Sequence, residues 1–302
     1  MALTKFEPLP PRYKHLINED QYIRLLEIAQ DFLEQYGKVS KIEDGLIDFT
    51  SFEGSDQRFG LDNLIRNLLD EAPAVWPSTI NEHFSKFFSN VELGFDLGNF
   101  EQIKDIISIR VYPDSYFDSI TSIGELIFKI DFEDTMSTLV FDYPDKFEPV
   151  FREHFSKWNV SEETAFQIAM EHLNQHEVQV GKKEFDNGFN QYSFFSSTYS
   201  PCILLDFERN AKIAKGKFGS LVNIPTHGSA FAVPINRSNV PEIIVAITDT
   251  INKFYDEDPG PITTNYYWYY SRKFTKFQTS KTKDGLINLH LPPELIELLK
   301  NS

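Results

Sequence analysis

Five aromatic residues in a row, Tyr266-Tyr267-Trp268-Tyr269-Tyr270, constrain this chain more than any other stretch of it. On a β-strand, successive side chains point to opposite faces. Tyr266, Trp268 and Tyr270 then share one face, and Tyr267 and Tyr269 the other. Both faces are aromatic, so one can cover a core while the other lies under a helix or stays partly open to solvent. Tyr and Trp carry a polar tip on an apolar body and are favoured at binding surfaces. The run predicts that Trp268 is core and that at least one of Tyr267 and Tyr269 is exposed and available to a partner. A strand buried on both sides is the structural alternative.

Basic residues follow the run at once, and they belong to a wider pattern. The formal net charge is −16, yet two tracts contain no acid. Arg209 to Pro241 holds Arg209, Lys212, Lys215, Lys217 and Arg237. Ser271 to Lys283 holds Arg272, Lys273, Lys276, Lys281 and Lys283. All 45 acids lie outside these tracts. If folding brings the tracts together, they form one positive face on an acidic body, suited to a protein partner or an anionic ligand. The candidate binding residues are Lys215, Lys217, His227, Arg237, Tyr267, Tyr269, Arg272 and Lys273. The structural alternative is solvated loops and strand edges, where Lys blocks edge pairing. Aromatics beside cations suit single-stranded nucleic acid, but the acidic body repels a phosphate backbone, so nucleic acid is disfavoured.

Along the chain, Glu19–Gly37 has the apolar spacing of an amphipathic helix. Val39–Phe49 reads as a strand pair turning at Asp44-Gly45. Leu61–Leu69 reads as a second helix. Pro73 and Pro77 break the chain, and Thr79 with Glu82 suggests a capping box for a third helix to Phe88. The segment Leu93–Asn99 has no clear period and marks a boundary, giving a helix-rich region over 1–98 and an α+β domain over 99–302. In the second part, Ile106–Tyr112 is strand-like, and Glu125–Phe132 with Met136–Phe141 reads as a hairpin. Phe147–Trp158 reads as a short helix, and another starts at Ser161 as N-cap. Strands are expected at Glu177–Phe185, Tyr192–Ser196, Cys202–Phe207, Leu221–Ile224 and Ala230–Ile235. Val240–Tyr255 is the most periodic helix. Further strands are expected at Thr264–Tyr270, Phe274–Gln278 and Leu286–Leu289, before a Pro293–Leu299 helix. Strands and helices come in runs rather than in strict alternation. That pattern predicts an α+β fold, a mixed or antiparallel sheet packed by amphipathic helices.

No motif names a reaction. His172 and His176 are four apart, the spacing of a helical metal pair, but Leu173 stands where a zincin has Glu. A solvated pair is the simpler reading, and no metal site is assigned. Asp131, Glu133, Asp134, Asp142 and Asp145 gather around one hairpin and could do acid–base work, but no calcium-loop pattern is present. Gly216-Lys217-Phe218-Gly219-Ser220 lacks the P-loop ending and reads as turn glycines. Thr226-His227-Gly228-Ser229 sets a Ser near a His without a GxSxG elbow. Cys202, the one cysteine, sits in an apolar run and reads as an inert buried thiol. A single cysteine excludes a disulfide framework and any CxxC site. No apolar run reaches membrane-span length, and the N-terminus lacks a signal-like apolar region. A cytoplasmic location, no cofactor and no catalytic residue are the expectations.

Three stretches, FDYPDKFEPVFREHFSKWNVSEETAFQIAMEHLNQ (Phe141–Gln175), GSLVNIPTHGSAFAVPI (Gly219–Ile235) and DPGPITTNYYWYYSRKF (Asp258–Phe274), together resemble the YtpQ-like proteins, bacterial cytoplasmic proteins of unknown function. The Trp158…Ala169…Leu173 spacing carries the resemblance best. The family has Asn before that Leu, where this chain has His172. The resemblance covers roughly 141–274, implies an α+β protein, and brings no catalytic residues. The leading expectation is therefore a non-enzymatic protein that binds a macromolecular partner through its basic and aromatic face. One alternative is a hydrolase or phosphoryl-transfer enzyme holding an anionic substrate around His227, Ser229 and Lys217. Another is an acidic, immunity-like inhibitor that makes contact through the acidic body.

Overall fold

The computed structural model describes residues 7–301 apart from 53, 55, 70, 91–95, 118–120, 144–145, 187, 197, 259 and 282–286. The side chains of 86, 87, 89, 90, 280, 281 and 287 also fall outside the description. Lys283, Asp145, Leu286, the side chain of Lys281 and the first three residues of the Leu93–Asn99 segment therefore lie outside it. The chain divides into two compact units. One is Met1–Gly94 with Pro144–Lys146 and Asp256–Gly260; the other is Phe95–Tyr143, Phe147–Tyr255 and Pro261–Ser302.

The first unit begins with helix α1 (Glu19–Leu33), started by a reciprocal capping box between Asn18 and Gln21. Strands β1 (Gly37–Glu43), β2 (Leu46–Ser51) and β3 (Asp56–Gly60) form an antiparallel sheet in that order. Asp44 and Gly45 both have positive φ at the β1–β2 turn, the twist that suits a two-residue hairpin loop. Helices α2 (Asp62–Leu68) and α3 (Trp76–Asn90) follow. Leu25, Leu26, Ala29 and Leu33 of α1 share a core with Ile47, Phe49, Ile80 and Phe84. The capping box expected at Thr79 is not formed. Thr79 lies inside α3, and its hydroxyl donates to Glu71 at 2.5 Å. Pro77 does not break the chain. It is the second residue of α3, where the missing N–H costs no helical bond.

The second unit opens with α4 (Phe100–Ile103), β4 (Ile107–Pro113), β5 (Phe128–Lys129), β6 (Thr135–Asp142) and β7 (Phe147–Pro149). These strands make one antiparallel sheet, β4-β6-β5, with β7 also paired to β6. Helices α5 (Arg152–Phe155) and α6 (Glu162–Leu173) follow, and the Ser161 hydroxyl caps α6. The Phe147–Trp158 segment is thus a strand and one helical turn, because β7 uses Phe147–Pro149 to pair with β6. Next come β8 (Gln179–Glu184), β9 (Asn190–Phe195), α7 (Ser200–Ile203), α8 (Phe207–Asn210), β10 (Ser220–Thr226) and β11 (Ser229–Pro234). The unit ends with α9 (Val240–Glu257), β12 (Tyr267–Tyr270), β13 (Lys273–Lys276), β14 (Gln278–Lys281), β15 (Ile287–His290) and α10 (Pro293–Lys300). The main sheet runs β13-β12-β10-β11-β9-β8, with antiparallel neighbours. The fold is α+β, as its pattern of elements implied.

Two expectations fail here for physical reasons. Cys202–Phe207 is helical, not a strand. A short, largely buried apolar run looks the same in either conformation, and Pro201 at the start of α7 tips it to helix. Tyr267 and Tyr269 are not exposed, at 0% and 3%, while Trp268 is core as expected, at 1%. Trp268 packs with Leu221, Phe231 and Val233, with Ile243, Ile247 and Ile251 of α9, and with Leu295 of α10. Tyr267 and Tyr269 face a second core that holds Ile109 and Leu139 of the smaller sheet and Phe207. The opposite face is therefore covered by another sheet and by the short helices, a cover that sequence distance conceals.

Candidate functional site

The elements of the main sheet fix where the expected binding residues end up. Ser220 at the start of β10 pairs with Tyr269 on one side and Pro234 on the other. Tyr270 and Lys273 close the β12–β13 pair around the Ser271-Arg272 turn. The loop before β10, the end of β11 and the β12–β13 turn therefore meet at one end of the sheet. Lys215, Lys217, Arg237, Arg272 and Lys273 all belong to this end, and all are exposed. A depression of about 180 Å³ there is lined by Lys215, Gly216, Lys217, Gly219, Tyr269, Tyr270 and Ser271.

The local backbone explains the loop. Gly216 and Gly219 pair across a tight turn, and Gly219 has φ +85°. A Cβ there would overlap the Tyr269 carbonyl oxygen, so only glycine lets β10 meet β12 this closely. The Asn236 side chain accepts from the Lys217 N–H at 2.9 Å, and the Trp268 indole donates to the Phe218 carbonyl at 2.7 Å. Lys217 and its ammonium are thus carried on a fixed backbone. At the neighbouring turn, Ser271 and Arg272 both take positive φ, 50° and 64°. Non-glycine residues enter that region at a cost, and a two-residue hairpin normally uses Asn-Gly or Asp-Gly there.

Glu208 is the acid that meets this group. Both its oxygens lie 2.8 Å from Lys215 Nζ, and the Tyr269 hydroxyl donates to it at 2.9 Å. These two hydrogen bonds hold its carboxyl below the usual range. Among the described residues no ion pair engages Lys217, Arg237, Arg272 or Lys273. Those four cations are exposed, with Lys217 Nζ 4.6 Å over the Phe218 ring and Arg272 acting on Glu208 through space.

Three of the candidate residues do not join the exposed face. Tyr267 and Tyr269 turn inward, their hydroxyls bound to the Glu133 carbonyl at 2.7 Å and to Glu208. His227 is buried, 6% exposed, edge-on to the Tyr112 ring at the β10–β11 turn. Seven residues of β10, about 20 Å, separate that turn from Lys217, so the two cannot share a small substrate. Ser229 is no nucleophile for His227 either, because its hydroxyl pairs with Thr226 at 2.8 Å. Lys276 sits at the far end of β13 and is paired with Asp134.

The carboxylates around the β5–β6 hairpin also separate. Asp134, at positive φ, holds Lys276 and Asn265, while Asp142 lies at the other end of β6. There it joins His172 and His176 in lining a cleft, a convergence that neither motif revealed in the sequence. No group of three or more His, Cys, Asp or Glu among the described residues is placed to hold a metal ion. Cys202 is fully buried, and burial pushes its thiol up to about 11. No described helix is long and apolar enough to cross a membrane. Comparison with protein-family models, curated proteins and solved structures gives no match.

Proposed function

We propose that this chain is a binding protein that docks an acidic segment of a protein partner on the basic end of its six-stranded sheet. The observation that carries the reading is the meeting there of Lys215, Lys217, Arg237, Arg272 and Lys273 from three separated parts of the chain. The paired left-handed residues Ser271 and Arg272 support it, since backbone strain kept at an exposed tip tends to serve a contact rather than stability. At about 180 Å³ the depression is smaller than the usual small-molecule pocket, which favours a segment laid across the surface over an enclosed substrate. The aromatic half of the expected face drops out, so the contact is electrostatic, with recognition and on-rate set by charge.

A poly-glutamate peptide tests this. Its affinity should fall steeply as salt rises, because exposed charges are screened beyond about 10 Å at 0.1 M salt. The triple variant Lys217→Glu, Arg272→Glu, Lys273→Glu should lose at least about tenfold in affinity with its fold intact. If the triple variant binds the peptide as well as the parent does, the docking surface is somewhere else. Tighter, equally salt-sensitive binding of a single-stranded oligonucleotide at the same residues would replace the protein partner with nucleic acid.

A further inference from the structure

The second unit holds a cleft of about 320 Å³ that the basic end does not use. It opens where β4 begins, β6 ends and α6 finishes, and Asp105, Asp142, His172, Gln175 and His176 line it. We infer that this cleft binds a small organic ammonium ion, with Asp142 as its counter-ion, Asp105 at its rim and His172 beside it.

The argument starts from Asp142. Its carboxylate is half-buried, and Tyr199 donates to Oδ2 at 2.7 Å. Among the described residues nothing hydrogen-bonds Oδ1, and no cation comes within ion-pair distance. Besides the Tyr199 hydroxyl, His176, Arg110 and His172 act on it only through space. The Arg110 guanidinium is spent elsewhere, stacked 4.1 Å over Phe147 and donating to the Thr198 carbonyl at 3.4 Å. A partly desolvated carboxylate with one hydrogen bond and no ion pair is costly unless something supplies the rest. A cation entering from the cleft does so.

The surroundings choose the sign and the kind of ligand. The cleft lies at the C-terminal end of α6, where the helix dipole favours positive charge. Asp105 is exposed at the mouth and adds a second negative charge. His172 contacts the Ile107 carbonyl through Nδ1 at 3.0 Å. A carbonyl only accepts, so Nδ1 donates to it, and Nε2 is the ring nitrogen left to meet a ligand. His176 stacks on Tyr199, with ring centroids 4.0 Å apart, and so fixes the hydroxyl that orients Asp142. A bare metal ion does not fit, since the His and Asp groups are not placed to ligate one together. At the small end of ligand-pocket volumes, the space suits an ammonium head with a short chain.

The experiment titrates the full chain with 1,4-diaminobutane and follows the imidazole C–H signals by NMR. Saturable shifts are expected at His172 and His176, with the other five of the seven histidines unmoved. Asp142→Asn, which can still accept from Tyr199, should weaken binding by about tenfold or more, and Asp105→Asn by roughly threefold. 1-Butanol, with the chain but no charge, should not shift them. Equal binding by Asp142→Asn, no saturation by about 20 mM, or larger shifts with inorganic phosphate would each overturn the assignment. The poly-glutamate peptide should leave both signals in place, so this result stands or falls separately from the basic end.

Discussion

The strand Tyr267–Tyr270 and the turn Ser271–Lys273 that follows it are adjacent in the chain and differ in almost every physical respect. Three of the four strand residues are buried, and all three turn residues are exposed. In the strand, local preference and environment agree. Aromatic residues favour a pleated conformation, each face meets an apolar layer, and the indole and hydroxyl tips find partners. In the turn they disagree. Two residues with side chains take a backbone conformation that glycine or asparagine would adopt more cheaply, and one of them, Arg272, presents a cation to water. Consistency across levels marks what holds the fold together, and a local violation at a solvent-facing tip marks where selection for something else has acted.

Mutation can break this contrast, beginning with the strand. Trp268→Ala should cost about 3–5 kcal/mol, as core aromatic truncations do. The Tyr267→Ala, Tyr269→Ala double variant should cost at least as much, because both rings pack in the second core, Tyr267 on Phe132 and Tyr269 on Phe207. Urea denaturation measures both. If the double variant proves nearly as stable as the parent, one face of the strand is open after all. In the turn the sign should reverse. Ser271→Asn with Arg272→Gly should raise stability by about 1 kcal/mol by relieving the left-handed backbone, while weakening poly-glutamate binding. A loss of stability there would mean that the turn is part of the packing and not a strained tip.

The smallest effects sharpen the boundary between strand and turn. Tyr267→Phe should cost about 1 kcal/mol, the usual net worth of one hydrogen bond, here to the Glu133 carbonyl. Tyr269→Phe acts through Glu208. The folded state holds this carboxyl low through Lys215 first and Tyr269 second. The stabilisation is therefore fully present above the unfolded carboxylate range and is lost as pH falls through the folded value. Removing the hydroxyl should shift the Glu208 titration upward and shrink the stability difference between neutral and acid pH. An unchanged Glu208 titration in the variant would show that the hydrogen bond does nothing to the charge.

Much of the fold is legible in the sequence where local signals are strong. The apolar period of α1 and α9, the Ser161 cap, the Asp44-Gly45 turn and the glycines before β10 all lie where pattern and turn chemistry place them. Illegible parts depend on what packs against them. Cys202–Phe207 has no period because four of its six residues are buried on different sides, and β3 and β7 are too short to show alternation. The acid-free tracts do point to Lys215, Lys217, Arg237, Arg272 and Lys273. They could not show that Lys276 is spent on Asp134 or that Glu208 sits among them. His227 looked reachable only because its place at the opposite end of β10 is a matter of strand length and direction. The cleft at Asp142 joins residues from 105 to 199, and no spacing within the chain announces such a meeting.

The position of Cys202 gives the protein a built-in clock. It is the chain's one cysteine, it lies in the core of the second unit, and its thiol is held up at about 11. At neutral pH only about one native molecule in ten thousand carries a thiolate there, and no reagent has a path to it while the core is closed. The rate of alkylation by iodoacetamide therefore counts openings of that unit rather than surface encounters. The same inertness leaves the chain free to accept a reporter cysteine at an exposed position such as Arg272, labelled in the native state without first replacing the cysteine already present.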